Sequence, residues 1–216
     1  MKRRHKLEKP PIRPVDYRTI FRTIYSVLGN EKGDLTKSCF HFNIFASAIL
    51  RQHYGLRAIP YVGIAAYCIS QDPKSLIGYF ELSDGIPDPS GGNIHCWIYV
   101  DGWHIDFMAP LFPELAKLGN MPPCNRMQFC KPISLGKDHP NDLQYAGDFF
   151  ALPDKERTLS VVDELAKRPT NADLISICCA WYRKPPIKML ESILVGKGNQ
   201  GPSRVHFSRI QITGSW

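Results

Sequence analysis

Three residues able to form an activated nucleophile stand along the chain in the order cysteine, histidine, aspartate. Cys39 opens "CFHFNIFASAILRQHYG", in which Phe42, Phe45, Ala46, Ile49 and Leu50 recur at helical spacing and Gly55 supplies a helix stop. A structural thiol can sit anywhere along such a helix. A reactive one gains from the first turn, where the partial positive charge of the helix start favours a thiolate. The unpaired amides of that turn can also receive an oxyanion.

The histidine and the aspartate come from "NIHCWIYVDGWHIDFMAP", two apolar-rich runs around Asp101-Gly102, which marks a two-residue type I′ hairpin. That loop pairs Val100 with Trp103, Tyr99 with His104 and Trp97 with Asp106. Cross-strand partners share a face, as do residues two apart on a strand. His95, Trp97, Tyr99, His104 and Asp106 therefore share one face. Ile94, Ile98, Val100, Ile105 and Phe107 share the other, expected to be the core face. His95 and Asp106 become diagonal neighbours, an imidazole oriented by a carboxylate, and Cys39 completes a nucleophile–base–orienter set. His104 is the competing base and ranks lower because it sits beside the turn. Taken singly, a cysteine on an apolar helix is ordinarily a small core residue, and indoles such as Trp97 and Trp103 ordinarily pack. The joint pattern is what favours chemistry.

The elements that must position these groups are legible on either side. "VDYRTIFRTIYSVLG" is a helix ending near Gly29, and "NEKGDLTKS" is a turn offering Asp34, Thr36 or Ser38 as a cap for the cysteine helix. "RAIPYVGIAAYCIS" and "SLIGYFEL" read as strands, and the loop from Gln71 to Asn93, long for a simple connection, is expected to wall the cleft. Beyond Pro110, "DKERTLSVVDELAKRP" and "NADLISICCAWYRK" read as helices and "SRVHFSRIQI" as a closing strand.

The 216 residues, 44% hydrophobic and 22% charged, suit one substantial globular domain and argue against a disordered chain. The expected division is a basic tail over 1–14 and a single domain over 15–216 with a C-terminal helical elaboration. Part of the net charge of +7 lies in that tail. Nucleic acid is not the expected partner, and the charge favours acidic substrates only weakly. No run approaches the roughly 18 apolar residues of a membrane span, and the opening basic run has no apolar segment behind it, so no membrane partner and a cytoplasmic location are expected. Seven cysteines at irregular spacing suit free thiols. Neither Cys124/Cys130 nor Cys178–Cys179 has the spacing of a zinc knuckle, so no metal or other cofactor is expected.

The ordered set "SCFHFNIFASAILRQHYGLRAIPYVG" and "HCWIYVDGWHIDFMAP" resembles the transglutaminase-like branch of the papain-like cysteine protease superfamily, or an uncharacterised bacterial family of that fold. Cys39, the H-x-W of His95 and Trp97, and the W-x-x-D of Trp103 and Asp106 fall on its motifs, over residues 34 to 110. The resemblance implies an α+β fold with the nucleophile helix packed on an antiparallel sheet including strands 58–69, 94–100 and 103–108. It also implies Cys39, His95 and Asp106 as catalytic residues, Trp97 and Trp103 as substrate contacts, and a peptide or other amide-containing substrate. The sequence departs from papain-type proteases at position 33, where Gly33 replaces their oxyanion glutamine six residues before the cysteine. A binding module without activity and a coenzyme A-dependent N-acetyltransferase are the alternative readings, and the sequence leaves the oligomeric state open.

Overall fold

The computed structural model describes residues 9–83, 86–88, 91–196 and 201–216. Helix α1 (Pro14–Asn30) starts with Pro14 in its first turn, where proline's missing N–H costs nothing, and buries Tyr17, Ile20, Phe21, Ile24, Val27 and Leu28. A 3-10 turn, Leu35–Lys37, leads into α2 (Cys39–Tyr54). Phe42, Phe45, Ala46, Ile49 and Leu50 of α2 are all buried. At roughly 1.5–3 kcal/mol for each large apolar side chain, that face fixes how α2 sits on the sheet. Gly55 ends it in the left-handed region, at φ 66°, with its amide on Arg51 O and the Leu56 amide on Leu50 O.

The strands in chain order are β1 (Ile59–Gln71), β2 (Lys74–Tyr79), β3 (Glu81–Ser83), β4 (Ile86–Asp88), β5 (His95–Val100), β6 (Trp103–Asp106), β7 (Met127–Pro132), β8 (Phe149–Pro153), β9 (Ser192–Gly196), β10 (Pro202–His206) and β11 (Gly214–Ser215). The main sheet runs β11-β7-β6-β5-β1-β2, with β8 also on β1, and every pairing is antiparallel except β11 with β7. The remaining helices are α3 (Phe112–Leu118), α4 (Lys155–Ala166) and α5 (Pro169–Trp181). The fold is thus α+β, with five helices among the described residues and a mostly antiparallel sheet. Helices α1, α2 and α5 share a core with Cys96, Ile98, Val100 and Ile105 of the sheet. Among the described residues no helix is long and apolar enough to cross a membrane.

The hairpin has the expected register, Val100 with Trp103, Tyr99 with His104 and Ile98 with Ile105. Asp101 and Gly102 both have positive φ, 46° and 84°, as a type I′ turn demands. One expectation is incomplete: the face of Ile98, Val100 and Ile105 is not the hairpin's sole core face, because the face carrying His95, Trp97, His104 and Asp106 is buried as well. A second core covers it, built from Phe112 and Ala116 of α3, Phe129 of β7, Phe149 of β8 and Tyr67 of β1. Both faces of the hairpin are buried, so the alternation placed His95 beside Asp106 but did not mark the solvent side.

Other elements also differ. The closing strand expected over "SRVHFSRIQI" is confined to Pro202–His206 and, among the described residues, pairs with β9 apart from the main sheet. The 71–93 stretch is no long loop: β2 occupies most of its first half, and β3 and β4 form a small hairpin in its second. Residues 84–85 and 89–90 of it lie outside the described residues, as do residues 1–8 of the expected basic tail.

Candidate functional site

Strand pairing explains how the histidine is presented. On β1, Gly63 lies opposite His95 of β5 and Ala65 opposite Tyr79 of β2. Gly63 and Ala65 are two apart, so their partners point the same way and meet. The Tyr79 ring stacks on His95 at 4.0 Å with an interplanar angle of 17°. A side chain at Gly63 would collide with β8, because its Cβ would stand 2.1 Å from Leu152 O.

His95 Nε2 and Asp106 Oδ2 are 2.7 Å apart, and both residues are fully buried. Burial alone pushes the imidazole pKa down, but the Asp106 carboxylate and the Cys39 side chain outweigh it and raise the pKa to about 9. Burial likewise opposes ionisation of Asp106, yet His95 and the Met108 amide hold its carboxyl below the usual range. Asp106 Oδ1 accepts from Met108 N at 2.8 Å and from Asn43 Nδ2 at 3.2 Å.

Cys39 is the first residue of α2, and its side chain is near enough to His95 to help raise the imidazole pKa. Cys39 is 8% exposed, whereas His95 and Asp106 are fully buried. The thiol does not close a hydrogen bond: His95 Nδ1 has no partner among the described residues. The start of α2 is also uncapped, contrary to the expectation from "GDLTKS". Asp34 caps the 3-10 turn through Thr36 N at 3.0 Å, while the Ser38 hydroxyl donates back to Asp34 O at 3.0 Å. Ser38 holds the N-cap position of α2 without capping it, which leaves the first-turn amides available to an anion.

Two residues near the set were not singled out in the sequence. Asn43, fully buried, donates to Cys39 O at 3.1 Å, Cys96 O at 2.8 Å and Asp106 Oδ1, and accepts from Phe107 N at 2.9 Å. It ties α2, β5 and the end of β6 together. The available signal was an amide on the Phe42–Leu50 face, one turn after Cys39. Tyr79 has a buried hydroxyl without a partner among the described residues, and burial, Asp106 and Cys39 all raise its pKa. It stays protonated and able to donate.

The other expected site residues are packed away from solvent, Trp97 with its ring 6.5 Å from that of His95. Trp97 is 1% exposed and Trp103 6% exposed. Trp103 packs with the helices, so it offers no open platform. His104 is fully buried and bonded through Nε2 to the Tyr67 hydroxyl at 3.0 Å. Burial depresses its pKa to about 3. Among the described residues no group of three or more His, Cys, Asp or Glu side chains could hold a metal ion.

The chain belongs to the family described as "Protein of unknown function (DUF2026)", which matches residues 14–216. A solved structure described as "The crystal structure of genomics APC5867" is 31% identical, with a TM-score of 0.85 over 98% of this chain and 100% of that one. No curated protein matches the chain.

Proposed function

We propose that the protein is a papain-like, transglutaminase-like cysteine enzyme that transfers or hydrolyses an acyl group from an amide. The observation carrying this reading is the buried 2.7 Å His95–Asp106 pair together with Cys39, at an uncapped helix start, near enough to act on the same imidazole. Cys39 Sγ attacks the amide carbonyl carbon and forms a C–S bond, and the carbonyl oxygen becomes an oxyanion at the α2 amides. The C–N bond then breaks as His95 Nδ1–H protonates the leaving nitrogen, giving a thioester. Water, or a second nucleophile, loses its proton to His95 and attacks the thioester, and the Cys39 thiolate departs. Asp106 holds the imidazole and steadies its cation throughout. Tyr79 covers the ring, excludes water and offers a further donor near the reacting atoms.

Iodoacetamide labelling followed by peptide mass analysis tests the reading. Burial raises the pKa of all six other thiols, those of Cys68, Cys96, Cys124, Cys130, Cys178 and Cys179, which leaves them protonated near neutrality. Cys39 should therefore be alkylated first at pH 6–7, and His95→Ala should slow it at least about tenfold. A panel of peptide amides, isopeptides and acyl thioesters should yield an acyl adduct on Cys39 or turnover lost in Cys39→Ala. Equal labelling of the seven thiols and no adduct would turn the assignment to a binding module on this fold.

A further inference from the structure

Helix α1 meets the C-terminal part of the chain through one arginine. Arg22 follows Phe21, which is buried in the core, and its Nε donates to Ser208 O at 2.6 Å. Ser208 N in turn donates to the Ser26 hydroxyl, one turn further along α1, at 2.8 Å. The guanidinium lies over the Phe207 ring, 4.5 Å from its centroid, and that ring is itself held edge-on against Trp181 at 5.7 Å. Both the stem and the head of Arg22 are thus held in place. The Phe207 amide donates to Glu191 O at 2.9 Å, which continues the β9–β10 pairing by one residue and brings Glu191 opposite Phe207.

A cavity of about 260 Å³ opens here, lined by Arg22, Met189, Glu191, His206, Phe207 and Arg209. It exceeds the ~150 Å³ that holds a benzene ring and falls short of the roughly 300 Å³ at which pockets for drug-sized ligands begin. None of its lining residues belongs to α2 or to the β5–β6 hairpin. Of the N–H donors of the Arg22 guanidinium, Nε–H is engaged by Ser208. Nη1 and Nη2 have no hydrogen-bond partner among the described residues and are not sealed from solvent. Burial lowers the Arg22 pKa with no carboxylate to offset it, yet a guanidinium stays charged at any ordinary pH. Its free edge is a planar fork that matches the two oxygens of a carboxylate. Glu191, in the same lining, forms no ion pair with Arg22, His206 or Arg209 among the described residues. Opposite charges therefore border one small cavity without neutralising each other. A bare anion would satisfy Arg22 but meet the Glu191 carboxylate, and a cation would do the reverse. A molecule carrying both charges satisfies both.

We propose that this cavity binds a small zwitterion, a free α-amino acid with an apolar side chain. Its carboxylate takes the Arg22 fork, its ammonium donates to Glu191, and its side chain lies on Met189 and Phe207. The site does not depend on Cys39 being a nucleophile, since no residue of the Cys39 site takes part.

Isothermal titration calorimetry on the full chain, with L-leucine, L-leucinamide, N-acetyl-L-leucine and inorganic phosphate, tests the proposal. Leucine should bind at least about tenfold more tightly than leucinamide, which lacks the carboxylate, and than N-acetylleucine, which lacks the ammonium. Phosphate should bind more weakly than leucine. Arg22→Gln should reduce leucine to the level of leucinamide. Glu191→Gln, at an exposed position, should reduce leucine to the level of N-acetylleucine and serves if the Arg22 variant does not fold. Phosphate or N-acetylleucine binding as tightly as leucine would overturn the proposal in favour of a plain anion site. Equal affinity for leucine and leucinamide, no binding up to the solubility limit, or leucine binding undiminished in Glu191→Gln would each overturn it as well. Cys39 alkylation in the same samples reports on the catalytic reading separately.

Discussion

His95 and His104 lie on one face of one hairpin, both fully buried, each with an aromatic ring stacked on it: Tyr79 on the first at 4.0 Å, Trp97 on the second at 5.5 Å. Their protonation nevertheless diverges, to about 9 for His95 and about 3 for His104. Burial pushes both downward. What separates them is chiefly the direct partner, a carboxylate 2.7 Å from one, helped by the Cys39 side chain, and a neutral tyrosine hydroxyl 3.0 Å from the other. A buried imidazole is thus assigned its task by its nearest neighbour, not by its burial.

The strongest way to break this contrast is Asp106→Asn. It removes the charge that holds His95 cationic and should lower acylation of Cys39 by on the order of 10³–10⁴-fold. A loss below tenfold in stopped-flow acylation would mean that Asp106 is only structural. Asn43→Leu comes next: it leaves Asp106 Oδ1 and the Phe107 amide without their amide partner in the core, and should cost about 2–4 kcal/mol in urea unfolding. A smaller acylation defect than in Asp106→Asn should accompany it, because His95 keeps its carboxylate.

His104→Phe sharpens the comparison through pH. The folded His104 pKa lies below its ordinary 6.5, so the folded state binds fewer protons than the unfolded one. Its contribution is fully present above pH 6.5 and is lost as pH falls toward 3. The folded His95 pKa is raised, so its contribution is fully present below 6.5 and is lost as pH rises through about 9. The variant should flatten the acid limb of the stability–pH curve and leave the alkaline limb alone, against a loss of roughly 1–2 kcal/mol for the Tyr67 bond. A changed alkaline limb would show that the two histidines titrate as one unit. Asp101→Asn, at the turn between the two histidines, should be the mildest, within about 0.5 kcal/mol and without effect on acylation, since Asn suits the same backbone.

Much of this geometry was legible because it rests on parity. An Asp-Gly turn fixes register, register fixes which side chains share a face, and that placed His95 beside Asp106 before any coordinates. The helix of Cys39 was legible from its apolar repeat and its glycine stop. Parity could not say what covers a face, and the layer over His95 and His104 comes from Phe112, Phe129 and Phe149, in segments with little period of their own. Strands β7 and β8 are short, at 6 and 5 residues, and gain their structure from neighbours distant in sequence. Asn43 stayed hidden because one amide among apolar helix positions resembles a tolerated exception until its four partners are seen.

The bare start of α2 carries an evolutionary consequence. Ser38 stands where a serine ordinarily ties down a helix, yet its hydroxyl turns away, so stabilisation of about 1 kcal/mol available to a capped helix goes unused. Ser38→Asp would claim it, and would also lay a permanent negative charge across the amides beside Cys39. If Cys39 is the nucleophile proposed above, selection for thermal robustness and selection for reactivity pull this position in opposite directions. A library screened for melting temperature alone should enrich acidic residues at 38 and lose thiol reactivity as it does so.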